Sequence, residues 1–138
     1  MSGTYILDAC ALIACMLGEH GHEIVEDLLS RAYAGELSLK MNIINLMEVY
    51  YGVFRTAGSR VANEVIAEVE RNPILITTCI SKSLFLEAGK LKAAYRISLA
   101  DAIALAEAII ENATLVTSDH HELGVIDEDD VAQILLIR

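Results

Sequence analysis

Along this chain, short β-branched runs alternate with longer stretches whose apolar residues recur at helical spacing. Thr4 to Leu7 predicts a first strand leading directly into a helix from about Ala9 to Leu17. Gly18 and Gly21 punctuate it, and an amphipathic helix follows from about His22 to Ala34, with Ile24, Leu28 and Leu29 expected on its core side. Leu37 to Met41 fits a short strand, and Asn42 is placed to cap a helix running to about Thr56. Gly58 and Ser59 separate that helix from another, which ends before Asn72-Pro73. Ile74 to Thr78, rich in β-branched residues and uncharged, predicts a buried strand. Helices at Ser81 to Tyr95 and Ser98 to Glu111, a strand at Leu115 to Thr117, one helical turn near Asp119 to Leu123 and a strand at Gln133 to Ile137 complete the series. Strands alternating with helices imply an α/β architecture whose parallel sheet is covered on both faces. No repeat, linker or low-complexity tract interrupts it, so residues 1–138 are expected to form one domain.

Four acids break this pattern. Asp8 and Asp119 close predicted strands, while Glu48 and Asp101 sit inside apolar helices. A buried carboxylate costs several kcal/mol unless it is paired or holds a metal. One such residue is readily absorbed by a fold; four distributed along the chain point to a shared set of oxygen ligands for a hard divalent cation. Each also has a plain structural explanation. Asp8 fits an N-cap, and Ser98 to Asp101 fits a capping box. Glu48, in a helix apolar on nearly every side, is expected to be buried and within reach of Arg55 for an internal ion pair. Asp119 to Glu122 forms another small capping box, with Thr117 and Ser118 offering hydroxyls and Glu122 a fifth carboxylate. Asp101, however, shares its helical stripe with Ala104, Leu105 and Ala108, which should pack inward. The carboxyl ends of parallel strands face the crevice where ligands bind, which suits Asp8 and Asp119.

Composition narrows the classes. The apolar fraction is 54 % with a single proline, which fits a helix-rich core. No stretch approaches the ~18 uninterrupted apolar residues of a membrane span, because Asp101 and Glu107 interrupt the most apolar helix. No basic region followed by a long apolar one opens the chain, so a cytoplasmic protein without a signal peptide is expected. A net charge of −10 argues against a nucleic-acid partner. Two bound divalent ions would reduce it to about −6 and reverse the field where a phosphate docks. Cys10, Cys15 and Cys79 are an odd count that suits no disulfide framework. Cys10 and Cys15 project about 140° apart on one helix, a poor start for zinc, and read as buried thiols packed like small hydrophobes. His120 and His121 read as exposed loop residues, Asp127 to Asp130 as a solvated loop or helix start, and Tyr50 and Tyr51 as core or dimer contacts. Lys40, Arg55, Lys90, Lys92 and Arg96 are the basic groups expected nearest the acids.

The order and setting of the acids resemble the PIN-domain nucleases, especially VapC-type toxins of prokaryotic toxin–antitoxin pairs. The resemblance rests on Tyr5-Ile-Leu-Asp8, Leu46-Met-Glu48-Val-Tyr-Tyr-Gly52, Ile97-Ser-Leu-Ala-Asp101-Ala and Val116-Thr-Ser-Asp119, and spans Tyr5 to about Leu136. Many relatives carry Thr or Ser where this chain has Ala9, and Ser or Thr where it has Asn45, departures that touch the support of the acids and not the carboxylates themselves. The resemblance implies a three-layer α/β/α sandwich with a short parallel sheet. It implies Mg²⁺ or Mn²⁺ held by Asp8, Glu48, Asp101 and Asp119, with Thr117, Ser118 and Glu122 in support. It further implies hydrolysis of RNA phosphodiester bonds, an antitoxin protein as inhibitor, and a homodimer. Two other readings fit the acids: a PIN-like module that binds without cutting, and a Mg²⁺-dependent phosphoryl-transfer protein. The latter would want a lysine after a strand beside the phospho-accepting aspartate, and the sequence offers none in that place.

Overall fold

A computed structural model describes residues 3–119, 123–126, 129 and 131–137. The chain runs β1 (Thr4–Leu7), α1 (Ala9–Leu17), α2 (His22–Tyr33), β2 (Ser38–Asn42), α3 (Ile43–Ala57), α4 (Ser59–Glu70), β3 (Leu75–Thr77), α5 (Lys82–Ala94), α6 (Leu99–Glu111), β4 (Thr114–Thr117) and β5 (Gln133–Leu136). A short helical segment at 123–126 lies between β4 and β5. Every strand pairing is parallel, and the order across the sheet is β3-β2-β1-β4-β5. Strand alternation sends Tyr5, Leu7, Leu39, Met41 and Val116 to one face, where Leu12, Val25, Leu28, Leu46 and Val49 of α1, α2 and α3 cover them. Ile6 and Leu115 point to the other face, under α5, α6, Leu123 and Ile126. The result is the three-layer α/β/α sandwich that the resemblance implied, with the parallel sheet covered on both faces as the pattern predicted.

The topology fixes where a site belongs. From β1 the chain builds outward through β2 to β3, then returns to place β4 on the other side of β1. The carboxyl ends of β1 and β4 therefore flank the point where strand order reverses, the usual ligand crevice of an open parallel sheet. Asp8 follows β1 and Asp119 follows β4 closely. The ladder continues past the strand end, since the Asp8 N–H donates to the Val116 carbonyl at 3.2 Å.

Three sequence expectations change. In α2, Leu28 is buried and Leu29 packs against the core as expected, but the third inward residue is the fully buried Val25 and not Ile24, which is 36 % exposed. The strand expected to be buried at Ile74 to Thr78 is the three-residue edge strand β3, with Leu75 60 % exposed. Nor is α3 enclosed. Only Asn45, Leu46 and Val49 are buried, while Ile43, Met47, Tyr51 and Phe54 face solvent.

Candidate active site

Asp8 is the most constrained of the acids. It is 1 % exposed and caps α1, its Oδ1 accepting the Ala11 N–H at 2.8 Å. Its second oxygen, Oδ2, is buried with no hydrogen-bond partner. Burial pushes the Asp8 carboxyl up to about 6; the Thr117 hydroxyl and the Ala11 amide pull against this, while the charges of Asp119 and Glu48 add to it. A buried carboxylate oxygen without a donor is unfavourable, and a cation is one of the few groups that relieves it.

The other acids come from three separate elements. Ser98 caps α6 by accepting the Asp101 N–H on Oγ at 3.1 Å, so the first half of the expected capping box is present. Asp101 is nevertheless 6 % exposed, in a helix whose residues from Ala100 to Ala108 are all buried. Its capping position and its inward placement therefore coexist. After β4, Thr117 is fully buried and accepts the Asp119 N–H on Oγ1 at 3.0 Å, fixing the turn that leaves Asp119 half-buried. Ser118 is half-buried beside it. Glu48 is half-buried, not enclosed, and the Tyr51 hydroxyl lies 3.4 Å from its Oε2. Arg55, considered as its ion partner, lies over the Tyr51 ring at 4.9 Å from the centroid.

Cys10 shows that these acids share one field. Its thiol is pushed up to about 12, by burial of its inner side first, and then by Asp8, Asp101, Asp119 and Glu48 together. The residue itself reaches solvent and Cys15 is half-buried, which corrects their reading as buried thiols. Among the described residues, no three His, Cys, Asp or Glu side chains are close enough to form a closed metal shell. The acids thus converge in field without being gathered to ligand distance. Hard oxygen donors around an unsatisfied buried carboxylate oxygen fit a hard divalent cation.

Sequence reasoning missed a second polar group behind this edge. Glu107 of α6 is 5 % exposed; its Oε1 accepts from Asn42 Nδ2 and from Thr77 Oγ1 (2.9 Å), and its Oε2 is buried without a partner. Asn42 also caps α3 through Oδ1, accepting the Ile44 N–H at 2.8 Å. One side chain therefore ties the ends of β2 and β3 to α6 and sets the start of the helix that carries Glu48. The available signal was the one used for the other acids, a lone carboxylate in an apolar helix. Asn45, buried, donates to the Ala100 carbonyl at 3.3 Å and so ties α3 to α6 one residue before Asp101.

Four of the five basic groups expected near the acids have other engagements, Arg55 over Tyr51 among them. Lys40 pairs with Glu111, Lys90 with Glu87 at 3.9 Å, and Lys92 donates to the Ile97 carbonyl at 2.7 Å. Tyr50 is half-buried against Phe54, and Tyr51 is 42 % exposed. Glu122, His120, His121 and, in the acidic run, Asp127, Glu128 and Asp130 lie outside the described residues.

A parallel sheet with Asp8 and Asp119 just past the strands that flank its switch point sets the fold to compare. The sequence matches the PIN domain over residues 5–128, and the chain belongs to that family. No curated protein matches it at a significant level. Among solved structures, it is similar to a VapBC2 complex from Rickettsia felis bound to a promoter DNA fragment (TM-score 0.72, 19 % identity, 96 % of this chain and 98 % of that one). It is similar also to a toxin–antitoxin complex from Klebsiella pneumoniae (TM-score 0.67, 17 % identity, 97 % and 98 %). A third is a Mycobacterium tuberculosis VapC toxin that cleaves the sarcin–ricin loop (TM-score 0.63, 15 % identity, 85 % and 91 %). At such identities the likeness is one of fold.

Proposed function

We propose that this chain is a metal-dependent endoribonuclease acting as the toxin of a toxin–antitoxin pair. The observation that carries the reading is the buried, unsatisfied Oδ2 of Asp8, with Asp101, Asp119 and Glu48 acting alongside Asp8 on the Cys10 thiol. Membership of the PIN family and likeness to a sarcin–ricin-loop-cleaving toxin support RNA as the substrate.

In this reading Asp8, Glu48, Asp101 and Asp119 hold Mg²⁺ or Mn²⁺. The ion would supply positive charge to the phosphodiester and acidify the attacking water. The chain's own part is positional. Oδ1 of Asp8 is spent on the Ala11 amide, which leaves Oδ2 for the cation. Thr117 fixes the backbone of Asp119, and Ser98 fixes that of Asp101, so the chain positions from which these carboxylates project are set. Ser118 and Glu122 are further candidates for support. The protein would work in the cytoplasm; among the described residues no helix is long and apolar enough to cross a membrane. An antitoxin protein and a second copy of the chain are the expected partners, and likeness to a toxin–antitoxin complex supports the first.

The test is cleavage of a labelled single-stranded RNA pool in Mg²⁺, Mn²⁺ or EDTA, beside the Asp8→Asn/Asp101→Asn double variant. Metal-dependent cutting by the wild type alone is expected. If neither protein cuts but Mn²⁺ still raises the melting temperature of the wild type, the non-catalytic module replaces the nuclease. Co-elution with the product of an adjacent gene on size exclusion tests the antitoxin.

A further inference from the structure

Beside Asp119 lies a pocket of about 340 Å³, lined among the described residues by Ala14 of α1, Glu19 and His20 of the α1–α2 loop, and Ser118. Its volume falls at the lower end of the small-ligand range of ~300–1,000 Å³. Ser118 adjoins Asp119, so the pocket opens next to the place where the scissile phosphate would sit.

The loop that builds it is held in place. Gly18 closes α1 in the left-handed region (φ 65°), and the Glu19 N–H donates to the Ala14 carbonyl at 2.9 Å. Gly21, also left-handed, packs so closely that an added Cβ would lie 1.9 Å from the Ile137 carbonyl oxygen. His22 is engaged by Glu23 and Glu26, each at 3.1 Å. The side chains of Glu19 and His20, by contrast, make no hydrogen bond or ion pair with a described residue. They are presented, not used.

The charge of the pocket selects its ligand. Glu19 and the neighbouring Asp119 repel phosphate oxygens, so the pocket disfavours the RNA backbone and favours a group that offers N–H donors. A carboxylate takes two parallel donors best. Guanine presents adjacent N1–H and N2–H; uracil has one such donor, and adenine and cytosine place an acceptor beside theirs. The His20 ring supplies a flat surface for stacking an unpaired base, and Ser118 Oγ can meet the remaining acceptor edge.

We infer that the Ala14–Glu19–His20–Ser118 pocket is a subsite for an unpaired guanine next to the cleaved bond, with Glu19 reading its N–H edge. The polymer in this inference rests on the ribonuclease reading; the base does not. The first test is therefore binding without phosphate. Guanosine, adenosine, cytidine and uridine are titrated in EDTA into isotope-labelled protein, following the Glu19, His20 and Ser118 amide signals. Guanosine should bind about tenfold more tightly than the others, and Glu19→Gln should abolish that preference while its melting temperature stays unchanged. Equal binding of the four nucleosides, or a guanosine preference retained in E19Q, overturns the inference. The second test is sequencing of the ends cut from a randomised RNA, where wild type should enrich guanine at one fixed position and E19Q should not. Guanosine preference without cutting sinks the ribonuclease reading alone. Cutting with no base enrichment sinks the subsite alone.

Discussion

Asp8 is the side chain in which burial and charge conflict most sharply. Its folded pKa of about 6 lies above the ordinary 3.8, so the folded state binds the proton more tightly than the unfolded one. The stability gained from that proton is complete below about pH 4 and is lost as the pH rises through about 6. At pH 7.5 the ionised carboxylate then destabilises the metal-free fold by about 3 kcal/mol, from ~1.36 kcal/mol per pKa unit. Asp8→Asn keeps a competent helix cap and removes the charge. In EDTA that variant should be more stable than wild type at pH 7.5, with the difference reduced to about a third at pH 4.5. Urea melts at the two pH values measure this, and a pH-independent difference would falsify it. Cys10 gives an independent view of the same field. It is exposed, yet its thiol sits near 12, so alkylation by iodoacetamide at pH 8 should be slow for want of thiolate and not for want of access. Saturating Mg²⁺ should accelerate Cys10 labelling by offsetting the carboxylates, with Cys79 as internal standard. No acceleration would place the ion elsewhere.

At the scale of elements, the positions of Glu48 and Asp101 depend on how α3 and α6 are pinned to the sheet. Glu107→Ala would leave Asn42 Nδ2 unpaired inside the protein and Thr77 Oγ1 with only its 3.4 Å bond to the Met41 carbonyl, at a cost of about 2 kcal/mol. Glu107→Gln retains an acceptor and should lose less; a reversed order in chemical denaturation would show that the pair is not what holds the two elements. Most elements could be read from the sequence to within a residue or two, because capping residues and glycines mark them locally: Asp8, Asn42, Ser81 and Ser98 all cap where they stand. What could not be read depends on distant partners. Nothing in Leu75-Ile-Thr77 reveals an edge strand, since pairing order is decided across the sheet. The apolar face of α3 looked buried because Met47, Tyr51 and Phe54 are greasy, yet all three remain 42 to 52 % exposed. Glu107 lay unseen for the opposite reason. An acid among alanines resembles a solvated position until Asn42 and Thr77, dozens of residues away, arrive beside it.

For the molecule as a whole, electrostatics sets a condition on any encounter with RNA. The chain carries −10, and several of its basic side chains are already engaged: Lys40 with Glu111, Arg31 with Asp27, Arg71 with Glu68. Phosphate binding usually draws on a basic surface and weakens steeply with salt. Here the acids crowd the very edge where the polymer would be cut, so the metal-free protein should repel it. A divalent cation changes the sign of that small region while leaving the rest of the surface acidic. Binding should therefore be switched by the ion and not merely strengthened by it. Fluorescence anisotropy with a labelled single-stranded RNA would show this, using Ca²⁺, which takes the same oxygen ligands, in place of Mg²⁺. Little binding is expected in EDTA, clear binding in Ca²⁺, and none in either condition for the Asp8→Asn/Asp101→Asn variant. Equal binding in EDTA and Ca²⁺ would mean that the RNA docks on a cationic surface away from the acids. The four carboxylates would then be the end point of a track, and the arginines exposed on the helices would be the next residues to replace.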